Sequence, residues 1–296
     1  MNDYHYLIAG LPYIKIEDSK LTYSVSSFKE EVRPRLSAVD ARLMDMFFMK
    51  FDNRNLLQYL KNTETKFDER ANITKDELEE YFRLFSDANE TKYKNFLSLF
   101  KPKAKFFPPY FKTFLSEYRN AEDTDDARWE NRLTELYYQW AMKCGNKFIS
   151  EWFEFNLNLN NILAAFSSRK YKMNVEVLGN NAVSIFIKTS KQRDFGLSAI
   201  VEDIDIFQRI ADDSDLFERE KKIDLLKWKW LDDKTFFKYF SIEILFSYLA
   251  KLEIIERWIS LDPVEGEKIF RKLIDSMKDS VVKSPESTRL MHELNM

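Results

Sequence analysis

One helical phrase occurs three times along this 296-residue chain, at intervals close to a third of its length. The first copy is Phe51-Asp52-Asn53-Arg54-Asn55-Leu56-Leu57-Gln58-Tyr59-Leu60, after the aromatic face Phe47, Phe48 and Phe51. The second is Leu157-Asn158-Leu159-Asn160-Asn161-Ile162-Leu163-Ala164-Ala165-Phe166, after Phe148, Trp152 and Phe155. The third, more weakly matched, is Glu253-Ile254-Ile255-Glu256-Arg257-Trp258-Ile259-Ser260-Leu261, after Leu245, Tyr248 and Leu249. Asn55 and Asn161 are 106 residues apart, Asn161 and Arg257 96. A fixed period marks stacked or pseudo-symmetric units, each too small to bury its apolar face alone. A period near 100 exceeds the solenoid range, so the expectation is three related helical subdomains. Their spans are 1–105 with a short lead-in, 106–195 and 196–280, followed by a flexible tail over 281–296. Repeats of this kind build shape and do not by themselves imply chemistry.

Composition agrees with long helices. The chain is 45% hydrophobic and 16% aromatic, enough for a large core. Only 5 Gly are present, too few for the tight turns and phosphate-cradling loops that need positive φ. Charged residues nearly cancel to a net −3, which argues against nucleic acid as a bulk electrostatic partner. Cys144 is the only cysteine, so no internal disulfide forms and a reducing compartment is expected. The opening residues lack a basic segment and the apolar run Leu7 to Leu11 is short for a signal peptide. No stretch approaches the ~20 apolar residues of a membrane span.

Residues 1–16 read as an extended or irregular lead-in ending at Gly10-Leu11-Pro12. A helix is expected from Val39 to Lys61, then a polar connector over 62–73. Thr74 and Glu77 form a capping box that opens the next helix through Phe85. Pro102, Pro108 and Pro109 break the chain, with Pro109 suited to a helix first turn. From the acidic run Glu122 to Asp126, one helix with aromatics at 3–4 spacing extends to Phe166, interrupted only by Gly145. Val177 to Ile187 is ambiguous between helix and strand and is taken as a helix capped by Asn180 or Asn181. Helices follow over 199–211, 215–231 and from Asp233 or Lys234 to Leu261, with a last one from Pro263 to Met277.

Catalytic signatures are sparse. Neither a P-loop nor a dinucleotide glycine motif occurs. Asp194-Phe195-Gly196 copies the kinase magnesium motif without a glycine-rich loop or catalytic loop beside it; the expectation is that Gly196 ends a helix and Phe195 packs. His5, His292 and Cys144 do not supply converging zinc ligands, and Cys144 reads as a small buried hydrophobe. Three acidic clusters remain: Asp123, Asp125 and Asp126; Asp212, Asp213 and Asp215; Asp232 and Asp233. An isoprenoid synthase needs D-D-x-x-D to hold magnesium, whereas Asp212-Asp213-Ser214-Asp215 has another spacing; helix N-terminal acids are the plainer account. No catalytic residue, cofactor or metal is expected. Trp228, Trp230 and Trp258 are candidate interaction residues, with core packing the alternative; Trp228 and Trp230 must face opposite sides of their helix.

The segment Phe240-Ser241-Ile242-Glu243-Ile244-Leu245-Phe246-Ser247-Tyr248-Leu249-Ala250-Lys251-Leu252-Glu253-Ile254-Ile255-Glu256-Arg257 resembles the closing helix of the C-type central-stalk component of V/A-type ATPases, known as the d-type in eukaryotes. Asn55-Leu56-Leu57-Gln58-Tyr59-Leu60 and Asn161-Ile162-Leu163 are similar to a repeated phrase of that family. Tyr4-His5-Tyr6-Leu7-Ile8-Ala9-Gly10-Leu11-Pro12 resembles a bacterial family of unknown function associated with V-type ATPase gene clusters. Trp258-Ile259-Ser260-Leu261 stands where the C-type family carries a basic ending. The resemblance implies an all-helical funnel of three pseudo-threefold subdomains, with one end on the membrane rotor ring and the other receiving the central shaft. It also implies a non-catalytic central-stalk connector, peripheral to the inner face of the membrane through protein contacts. Two other readings stay open: a helical scaffold or adaptor of an unrelated complex, and a magnesium-dependent enzyme of isoprenoid-synthase type.

Overall fold

Short polar side chains decide where most helices of this protein begin. A computed structural model describes residues 4–18, 20–61, 63, 66–87, 107–121 and 125–261. Among them all regular structure is helical, with no strand. The α-helices are α1 (His5–Ala9), α2 (Val25–Val32), α3 (Ala38–Leu60), α4 (Lys75–Asp87), α5 (Pro109–Asn120) and α6 (Asp126–Ala141). They continue with α7 (Lys147–Tyr171), α8 (Ala182–Thr189), α9 (Ile204–Asp212), α10 (Leu216–Thr235) and α11 (Ile242–Ser260). Ser24, Ser37, Asp125, Asn146, Asn181 and Asp215 each accept a backbone N–H of the helix they precede, satisfying donors that the helix leaves unpaired. The capping box at Thr74 and Glu77 forms, Glu77 accepting the Thr74 N–H at 2.8 Å. Pro109 occupies the first turn of α5, where its missing N–H costs nothing.

Four sequence expectations need correction. The lead-in is irregular only over residues 10–16: Tyr4 docks its N–H on the Phe240 carbonyl at 2.7 Å and its hydroxyl on Asp40, and α1 winds from there. The helix expected from Asp126 to Phe166 is two helices, because Gly145 takes φ +81° and Asn146 caps a new start. Cys144 therefore sits half-buried in the turn, not inside a helix. The helix expected to begin at Asp233 or Lys234 starts only at Ile242, since α10 runs on to Thr235 and Phe240 adopts φ +50°. Gly196 does not end a helix; at φ +72° it precedes a short 3-10 turn, Leu197–Ala199, while α9 begins at Ile204. Phe195 packs as expected, beside Phe166. The last expected helix, the tail, Pro102 and His292 lie outside the described residues.

Side chains gather into two apolar cores. The larger joins α2 through α6, the first half of α7 and much of α11, with Phe28, Phe48, Phe111, Phe114 and Phe246 fully buried. The smaller joins Leu159 to Phe166 of α7 with α8, α9 and Ile223 of α10. Helix α7 belongs to both, packing on α6, α8, α9 and α11.

Buried polar side chains fasten connectors onto the helices that carry the repeated phrase. Asn55 donates to the Asp68 carbonyl at 3.1 Å and accepts its N–H at 2.8 Å. Asn161 does likewise to Leu178, at 2.8 and 2.9 Å. One turn earlier, Asp52 accepts the backbone N–H groups of Asn72 and Ile73, and Asn158 accepts the Asn181 amide. Each connector then enters a capped helix, α4 or α8. Burial pushes the Asp52 carboxyl up to about 6, against the opposing pull of its backbone hydrogen bonds.

Candidate functional site

The three tryptophans singled out from sequence are all half-buried and do not meet. Trp230 turns toward α7, stacking on Phe155 at 5.3 Å and beside Trp152 and Phe148. Trp228, two residues away, faces the other way, under the Lys251 ammonium, which also pairs with Asp232. Trp258 sits at the end of α11 against Phe217, and its indole N–H donates to Asp224 at 2.7 Å. Each has an intramolecular partner, so each contributes to packing as it stands.

The large apolar surface lies elsewhere. Between α10 and α11 the chain turns through Phe236-Phe237-Lys238-Tyr239-Phe240, and Phe236, Phe237 and Tyr239 are 69, 82 and 70% exposed. Phe236 and Phe237 stand edge to face at 4.8 Å. The turn is held from below. The Lys238 N–H returns to the Thr235 carbonyl, the Thr235 hydroxyl donates to Leu231, and the His5 ring lies on Phe240 at 3.9 Å. Adjoining α1 adds Tyr6, 97% exposed, and Tyr13 follows in the next stretch. The turn presents aromatic rings to water, and such rings supply large area with little entropy to lose on contact. Sequence reading placed these phenylalanines inside a helix and so missed them; the usable signal was four aromatics within five residues at a helix C-terminus.

The acidic clusters have local duties. Asp125 and Asp215 are N-caps, Asp213 pairs with Lys222 at 2.5 Å, and Asp126 approaches Lys61 at 3.1 Å. Asp123 lies outside the described residues. Asp194 accepts the N–H groups of Gly196 and Ser198, a turn-forming role. No group of three or more His, Cys, Asp or Glu among the described residues is arranged to hold a metal ion. No described helix is long and apolar enough to cross a membrane.

A family model described as "Protein of unknown function (DUF2764)" matches residues 1–281, nearly the whole chain. No curated protein and no solved structure matches. The chain belongs to the DUF2764 family.

Proposed function

We propose that this DUF2764 protein is a non-catalytic connector in the central stalk of a V/A-type ATPase, joining the membrane rotor ring to the rotor shaft. The reading rests on the resemblance of the α11 segment, the two asparagine phrases and the Tyr4–Pro12 opening to that machinery. One structural observation supports it: the rigid aromatic turn Phe236–Phe240, buttressed by that same opening and leading into α11. A connector transmits torque through stiff contacts at its ends. Aromatic anchors that become desolvated there would each contribute about 2 kcal/mol or more. In this reading the turn is one of the two contact faces, and association at the membrane is through protein contacts.

A scaffold for an unrelated complex would use the same aromatics, and the partner recovered decides between the two. The magnesium-enzyme reading is weaker, because Asp213 and Asp215 are engaged with Lys222 and with the α10 N-terminus. The test is recovery of the tagged full-length chain from its native cell. V-type ATPase subunits should co-purify, and Phe236→Ser with Phe237→Ser should reduce their yield at least tenfold without lowering thermal stability. Recovery of an unrelated complex overturns the connector reading. Undiminished yield from the double variant overturns the role given to the turn.

A further inference from the structure

A chamber of about 280 Å³ lies between α3, α6, α7, α10 and α11, where the two cores meet. Its walls are aromatic, formed by Phe47, Tyr137, Trp152 and Phe153. Its charged side chains are Lys50, Lys227, Arg257, Asp224 and Glu253, and Glu220 outside it shares the Arg257 guanidinium. Both carboxylates are occupied: Glu253 pairs with Lys50, and Asp224 takes hydrogen bonds from Arg257 and Trp258. Lys227 stands 3.9 Å from Asp224, beyond hydrogen-bond reach, and attracts Glu253 only through space. Tyr138 lines the cavity, and no described residue hydrogen-bonds its hydroxyl.

We propose that this chamber binds a small organic carboxylate, its single negative charge met by the Lys227 ammonium and the Tyr138 hydroxyl and its apolar body held by the aromatic walls. A single ammonium whose counter-ion is out of hydrogen-bond reach calls for a monoanion. The aromatic lining favours a ligand with an apolar part over a bare inorganic ion, which would remain better hydrated in water. Asn160, exposed on α7, marks the mouth, and Asn156 lies further along the same face. The ligand-free chamber carries an electrostatic cost in agreement with this. The Lys50 ammonium is depressed first by burial, against the pull of Glu253, and its neighbours Lys227 and Arg70 depress it further. An arriving carboxylate removes that repulsion. Since the walls come from helices of both cores, occupancy ties them together. The site is independent of the connector role.

The experiment uses the full-length protein and follows its thermal midpoint while sodium benzoate, neutral benzamide or sodium chloride is titrated in. Benzoate should raise the midpoint saturably, by roughly 5 °C at a hundredfold excess over its dissociation constant. Benzamide and chloride should not. Lys227→Gln should lose the benzoate response while remaining folded, because Lys227 stands beyond hydrogen-bond reach of Asp224. Lys229→Gln, on the exposed side of α10, should respond like the parent. Quenching of tryptophan fluorescence, from Trp152 in the chamber wall, gives a second saturable readout. A benzoate response no larger than that of benzamide or chloride, or one retained in full by Lys227→Gln, overturns the proposal. So does a larger response to inorganic phosphate than to benzoate.

Discussion

Asn55 and Asn161, 106 residues apart, perform the same act: each clamps both backbone polar groups of one connector residue, Asp68 or Leu178. The equivalence extends one turn back to Asp52 and Asn158 and forward to the capped starts of α4 and α8. At the third phrase Arg257 occupies this place and instead binds Asp224 and Glu220, both on α10. The repeated phrase thus encodes a fastening in two of its copies and an ion pair in the third.

Replacing Asn55 or Asn161 by alanine leaves a backbone N–H and a carbonyl without partners. Each change should destabilise the fold by about 1–3 kcal/mol. Asn161→Asp should help little, because its second oxygen would face the Leu178 carbonyl. Urea midpoints of the three variants check this, and midpoints unchanged from the parent would sink the clamp.

Asp52 makes a prediction about pH. Its folded carboxyl titrates at about 6, against 3.8 ordinarily, so over that interval the folded chain holds a proton that the unfolded chain lacks. This contribution to stability is fully present below about 3.8 and is lost as pH rises through 6. At ~1.4 kcal/mol per pH unit, the advantage of the parent over Asp52→Asn should grow by about 2.4 kcal/mol between pH 7 and 4. A difference that stays flat over that range contradicts it.

Two glycines at positive φ should respond unequally to alanine. Gly145, at φ +81°, has open space where a Cβ would stand, so Gly145→Ala should cost only the backbone strain, about 1 kcal/mol. Gly179, at φ +77°, would place its Cβ 3.2 Å from the Leu157 side chain, itself buried. Gly179→Ala should therefore cost more than Gly145→Ala, and equal melting points would refute the crowding.

Asp224 is 1% exposed and binds Arg257 and the Trp258 indole. Asp224→Ala removes both and should cost about 3 kcal/mol, the low end for a broken buried pair because Arg257 is partly solvated. Trp258→Phe removes only one hydrogen bond and should cost about 1 kcal/mol. Chemical denaturation of both variants tests the order.

Helical periodicity made α3, α10 and the all-helical class readable, and Thr74, Pro109 and Asn181 gave correct starts because capping is a local act. What stayed hidden depends on distant contacts. The apolar run from Phe236 to Leu249 has the composition of a continuous helix, yet Phe240 turns left-handed while His5 and Tyr4, far away in the chain, hold it. Gly145 reads as a tolerated interruption until Asn146 is seen capping Ile149. Trp230 could be singled out, but its aromatic wall on α7 could not. The chamber was out of reach because its walls come from five helices.

Helix α7 gives its first half to one core and its second half to the other, with one unbroken hydrogen-bond ladder between them. A ladder of this kind gains little from being half formed, since each new turn rests on the last. Loosening of the smaller core therefore frays a rod that the larger one is gripping, and the two share a common fate on heating. Amide exchange would report this as a plateau of slow protons across Trp152 to Ile162, with no weak link at the seam.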